Sequence, residues 1–116
     1  MAFEYARLLE ITTLPSSTGS VFANPSTQKS YVRLIVLHNA NTTEETAELW
    51  KVPDSTGSVG TAADTNKFYK GALAAGATVM LEFAAPGLIL IDTNESIQGK
   101  ATTASKVTIE ISGAKE

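Results

Sequence analysis

Short apolar runs, some alternating and some continuous, recur along this chain about every ten residues, and clusters of Gly, Pro, Asn, Asp, Ser and Thr separate them. That rhythm belongs to an antiparallel sandwich or small barrel. It predicts an all-β fold, an antiparallel β-sandwich or jelly-roll-like arrangement of seven to eight strands with little helix. At 116 residues the chain is long enough for one unassisted core and too short for two. Residues 1–116 therefore read as a single domain, with 1–30 an N-terminal strand or arm plus a flexible connection and 31–113 the sandwich core.

Residues 4–14 form the first candidate strand, ended by Pro15, although their start fits one helical turn as well. A short strand at 20–23 sits inside a turn-rich connection. Residues 31–38 are apolar on both alternating faces and rich in β-branched side chains, which predicts a central strand. Residues 46–52 are expected to pair with it as a hairpin across the polar loop 39–45. The stretch 53–60 reads as a mobile surface loop, and 67–73 fits either an edge strand or one or two helical turns. Residues 77–83 alternate as a half-buried strand, while 88–91 read as buried on both faces. The last two strands are expected to form a hairpin around residues 103–105, setting Ile97, Gly99 and Ala101 against Ile111, Ile109 and Val107, and Gln98 against Glu110.

Composition narrows the chemistry. Without cysteine, disulfides, thiolate zinc sites, iron-sulfur clusters and a thiol nucleophile are excluded. Nine basic against twelve acidic residues, net charge -3, give no electrostatic footprint for nucleic acid or an anionic membrane. Glu4, Arg7 and Glu10 interrupt any apolar leader. The longest apolar runs, 34–37 and 88–91, fall far below the roughly 20 residues that span a bilayer. No membrane partner is expected.

His38 is the sole imidazole, so any histidine-dependent mechanism must run through it. Placed on the face of Val32, Leu34 and Val36, it is expected at the rim of the core in a structural role. Glu44, Glu45, Glu48, Glu82 and Glu110 fall on loops or outward strand phases, where solvated charge explains them better than acid–base catalysis. Residues 92–95, Asp-Thr-Asn-Glu, offer oxygen ligands but lack the calcium-loop spacing, and an Asx-type turn accounts for them. The glycines of 57–60 match no phosphate-binding motif. The sequence thus predicts a protein that is not an enzyme, with no catalytic, cofactor or metal residues. Trp50 is either a core anchor or a binding hot spot, and reads as core. The candidate interface residues are Phe3, Tyr5, Leu8, Trp50, Phe68 and Tyr69.

Several segments carry a resemblance: residues 31–46, Val52-Pro-Asp-Ser-Thr-Gly-Ser-Val-Gly-Thr-Ala-Ala63, Leu73-Ala-Ala-Gly-Ala-Thr78, Glu95-Ser-Ile-Gln-Gly-Lys-Ala101 and Lys106-Val-Thr-Ile. Together they resemble the small β-sandwich virion structural proteins of tailed bacteriophages, a group containing head-decoration (cement) proteins and neck or tail accessory proteins. The resemblance implies a β-sandwich or jelly roll, no enzymatic activity, and contacts with the major capsid or other virion proteins. It also implies a place in the virion after synthesis in the host cytoplasm, and a dimer or trimer. Capsid decoration is the leading expectation; a neck or tail accessory role, or a carbohydrate-binding or adhesion module on the same fold, is the alternative. The apolar segment of Phe3, Tyr5, Leu8 and Leu9 would either pair with a neighbouring subunit or form the first strand of its own sandwich.

Overall fold

The computed structural model describes residues 3–116. Its strands are β1 (Glu4–Thr13), β2 (Gly19–Ala23), β3 (Ser30–Asn39), β4 (Glu45–Val52), β5 (Asp54–Ser55), β6 (Ser58–Val59), β7 (Lys67–Leu73), β8 (Thr78–Glu82), β9 (Leu88–Leu90), β10 (Ser96–Ala101) and β11 (Val107–Lys115). A 3-10 turn at Asp64–Asn66 is the only helical element among the described residues. The chain is all-β and antiparallel, with eleven strands where the sequence predicts seven to eight; β5 and β6, two residues each, lie in the stretch read as a loop and account for most of the excess.

Sheet A runs β1, β11, β3, β8, and β9 joins it along the start of β3. Sheet B runs β2, β10, β4, β7. The two pack face to face as a sandwich, the arrangement in which inward side chains of both sheets share one layer. Ile35 and Leu37 of β3, with Ile109 and Ile111 of β11, meet Leu49 of β4 and Ile97 of β10 in one fully buried cluster. β1 pairs with β11 of its own chain over its whole length, so the N-terminal segment is the first strand of its own sandwich.

Neither expected hairpin forms. β3 lies in sheet A and β4 in sheet B; β10 lies in sheet B and β11 in sheet A. The inward phases were nevertheless right: Ile97, Ala101, Val107, Ile109 and Ile111 are all fully buried. They meet across the core rather than along a ladder. Period-two alternation states which face a residue occupies and is silent about which strand lies beside it. Gln98 consequently stands opposite Trp50 in β4, not Glu110.

Three local readings also change. The register between β3 and β11 slips between Leu34 and Val32, which leaves Arg33 as the extra residue of a β-bulge. The phase inverts there, so Ile35 and Leu37 point inward and His38 points outward, its Nδ1 2.8 Å from Thr78 Oγ1. His38 is on the outer face, not at the core rim. In β9 only Leu90 is fully buried, and Ile91 beyond it is 55% exposed. Glu45, read from sequence as solvated, is buried as the first inward residue of β4.

That burial has a structural use. The Glu45 carboxylate accepts from the Thr103 amide (2.8 Å) and the Asn41 side-chain amide (3.0 Å), tying together the two connections, 40–44 and 102–106, that carry the chain between sheets. Asn39, also buried, donates to the carbonyls of Thr43, Leu73 and Ala74 and accepts from the Asn41 amide. At the other end of β3, Asn24 donates to the carbonyls of Gln28, Ile91 and Asp92 and accepts from the Ser30 hydroxyl. Each end of the central strand is thus sewn to its crossing loops. Asn39→Ala strands those carbonyls without a donor and is expected to lower stability by about 2 kcal/mol, the cost of unsatisfied buried groups, read as a shift of the urea midpoint at constant slope.

Burial raises the Glu45 carboxyl, but the hydrogen bonds from Thr103 and Asn41 outweigh it and hold it below the ordinary glutamate value of 4.5. Glu48, bonded to Lys67, is lowered as well. In Glu95 the Lys51 ion pair and the Ile91 and Asp92 amides overcome burial to the same net effect. Depressed folded values mean that these carboxylates contribute stability above the unfolded value and lose it as pH falls through the folded ones. The urea midpoint is therefore expected to hold down to about pH 5 and then to fall progressively. Glu45→Gln, with no proton to gain, starts less stable at neutral pH and loses less on acidification.

Candidate interaction surface

A sandwich has two outer faces, and this one treats them differently. Over sheet B the chain folds back on itself. The segment expected to be a mobile loop forms the β5–β6 hairpin, whose tip residues Thr56 and Gly57 both take left-handed backbone angles (φ 51° and 86°), as a tight two-residue hairpin turn demands. Gln98 Nε2 donates to the Gly60 carbonyl (2.8 Å), and Asn94 Nδ2 to the Gly57 carbonyl (2.9 Å). Beneath this cover lie Trp50 (6% exposed) and Val52 (1% exposed), both outside the inter-sheet cluster. Lys67 Nζ sits 5.3 Å from the centre of the indole and pairs with Glu48 at 2.7 Å. Trp50 is a core anchor of a second, smaller apolar layer.

Sheet A has no such cover among the described residues. Side chains directly opposite one another in a sheet share a face, so the register writes out its outer surface row by row. The first row is Tyr5, Ala114, Tyr31 and Ile89; the second is Arg7, Ser112, Leu34 and Glu82. Glu110, Val36 and Met80 follow, and then Thr13, Thr108, His38 and Thr78. Phe3 lies 5.9 Å from the Tyr5 ring, edge to face, and 5.5 Å from the Tyr31 ring. The small side chain of Ala114 is fully buried in that row. Tyr31 donates its hydroxyl to the Glu116 carboxylate at 2.9 Å, a bond that raises the phenol's pKa. Tyr5 is 83% exposed, Met80 61% and Phe3 53%.

Beside the aromatic row is a shallow open depression of about 630 Å³ lined by Tyr5, Ala6, Arg7, Arg33, Ser112 and Gly113. Chemically the surface offers aromatic faces, an apolar stripe and two guanidinium groups, which are the means of holding a partner.

Of the residues singled out from sequence, the fold brings Phe3 and Tyr5 together on this surface. Leu8, also on β1, is half-buried against the core. Trp50 lies on the opposite sheet under its cover, and Phe68 and Tyr69 of β7 are half-buried against the inter-sheet core, Phe68 meeting Phe83 at 6.1 Å. Residues 92–95 form a turn closed by a bond from the Glu95 amide to the Asp92 carbonyl, with the Glu95 side chain paired to Lys51 at 2.6 Å. Arg7, Arg33, Tyr31 and Met80 join this surface without being among the candidates the sequence offers. A shared outward phase was a usable signal for Tyr5, Arg7 and Met80; the bulge that aims Arg33 left none. No helix among the described residues is long and apolar enough to cross a membrane. Compared with known family models, curated proteins and solved structures, the chain gives no match.

Proposed function

We propose that this chain is a structural protein of a tailed-bacteriophage virion, a non-enzymatic capsid decoration subunit that docks on the major capsid protein through the outer face of sheet A. The carrying observation is the contrast between the two faces: the protein folds its own hairpin over the apolar end of the outside of sheet B, around Trp50 and Val52, and leaves the charged end with Glu48, Lys70 and Lys100 open, whereas it presents aromatic, apolar and guanidinium groups on the outside of sheet A. Exposed apolar patches rimmed by polar groups are characteristic of protein interfaces. The sequence resemblance of residues 31–46 and the later turn segments supports the virion setting. The test is quantitative mass spectrometry of purified particles from the phage that encodes the chain. Copy numbers matching the capsid lattice are expected. Copies in the single or low double digits would move the protein to the neck or tail, and absence from particles would overturn the reading.

The grouping of Phe3, Tyr5 and Tyr31 favours one other reading, a carbohydrate-binding module stacking a sugar on those rings. Glycan-array binding that is lost in Tyr5→Ala, with melting unchanged, would support the module over the virion subunit.

A further inference from the structure

We infer that Arg7 and Arg33 form a binding site for the carboxylates of an acidic segment in the protein partner; this rests on the reading that the outer face of sheet A is a docking surface. The chain has only these two arginines, and both line the same depression. Five lysines, Lys29, Lys51, Lys67, Lys100 and Lys115, are in ion pairs within the chain, whereas the chain's own acids form no ion pair with either arginine among the described residues.

Arg33 is also pre-oriented. As the extra residue of the bulge it is held by its Nε, which donates to the Phe83 carbonyl at 3.1 Å, and by the return bond from the Phe83 amide to the Arg33 carbonyl at 2.9 Å. The terminal guanidinium nitrogens make no bond within the described chain. Arg7 stands two strands away on β1, opposite Ser112 of β11, whose other partner is Leu34, the residue after Arg33. Planar guanidinium forks bind carboxylates and phosphates in bidentate fashion, and the surroundings choose between the two. Glu82 shares the row of Arg7 and Ser112, and Glu110 lies in the next. On a chain of net charge -3 those carboxylates repel every anion, and the repulsion grows with the charge of the ligand, so it weighs far more against a repeating phosphate backbone than against the one or two charges of a short acidic segment. Tyr5 and Phe3 alongside suit aliphatic neighbours of the acidic residue.

The test uses the full chain, isotope-labelled for NMR, titrated with acetyl-Leu-Glu-Glu-Leu-amide, with its glutamine counterpart and with a short DNA duplex. The glutamate peptide is expected to shift the amides of Ser112 and Gly113 and the arginine Nε–H signals, and to bind about tenfold more weakly after Arg7→Gln. Arg33→Lys, which keeps the charge and loses the fork, weakens it too. Equal binding of the glutamate and glutamine peptides, shifts confined to other surfaces, or tighter binding of the duplex would overturn the inference. The two readings fail separately. Peptide binding with no protein in particles leaves the carboxylate site standing and removes the virion role; particle incorporation undiminished by Arg7→Gln removes the carboxylate site and leaves the role.

Discussion

Trp50→Ala is expected to cost about 4 kcal/mol of folding stability, within the range for truncating a buried tryptophan, and to lower the melting midpoint by roughly 15 °C for a domain of this size. The indole is 6% exposed on the outer side of sheet B, between the strands and the segment that runs through β5 and β6. Its removal leaves a void that the hairpin is poorly placed to fill, because the tip is fixed by the Asn94 bond and the base by the Gln98 bond. Amide exchange should accelerate across residues 54–63 and change little in β3 and β11. Since Trp50 is the only tryptophan, its fluorescence in the wild type reports the same event, moving to the red as the cover lifts. Unchanged melting in the variant would return Trp50 to the status of an exposed binding residue.

Gly113→Ala is the second large effect, expected at about 3 kcal/mol, the upper part of the usual range for overpacking. The position looks innocuous in sequence. In the structure it pairs with Val32 at the bulge between β3 and β11, and a Cβ there would fall onto the Tyr31 carbonyl oxygen and stand 3.0 Å from the Arg33 amide nitrogen. Both obstacles are backbone, so relief requires moving a strand. The substitution should therefore disturb the aromatic row and Arg33 together, whereas Ser112→Ala next door is expected to leave melting unchanged. Equal melting of Gly113→Ala and Ser112→Ala would show that the strands have slack at the bulge.

The fold class was legible because strand spacing and alternation are local properties, and the inward phases of Ile97, Ala101, Val107, Ile109 and Ile111 followed from them. Strand partners were not. A hairpin and a crossing between sheets bury the same residues, and only the tertiary bonds at Asn39, Asn41, Glu45 and Thr103 distinguish them. Glu45 illustrates the difficulty: an acidic residue after a polar loop reads as solvated until Thr103, far along the chain, supplies its donor. His38 was misplaced for a related cause, since a one-residue bulge at Arg33 inverts every later side chain of β3 and carries no local marker. The same bulge hid the candidate site, whose two arginines are well separated in sequence and come to line one depression only because β11 lies between their strands.

The central claim is that this protein works through the bare face of sheet A. Its most direct test is the copy number per particle of wild type, Tyr5→Ser and Met80→Glu, measured by quantitative mass spectrometry after confirming equal melting. Both side chains are largely exposed and lie on that face. The account predicts that occupancy falls by about tenfold or more in each variant, the loss expected when an interface anchor is removed. Wild-type occupancy in both variants would contradict it.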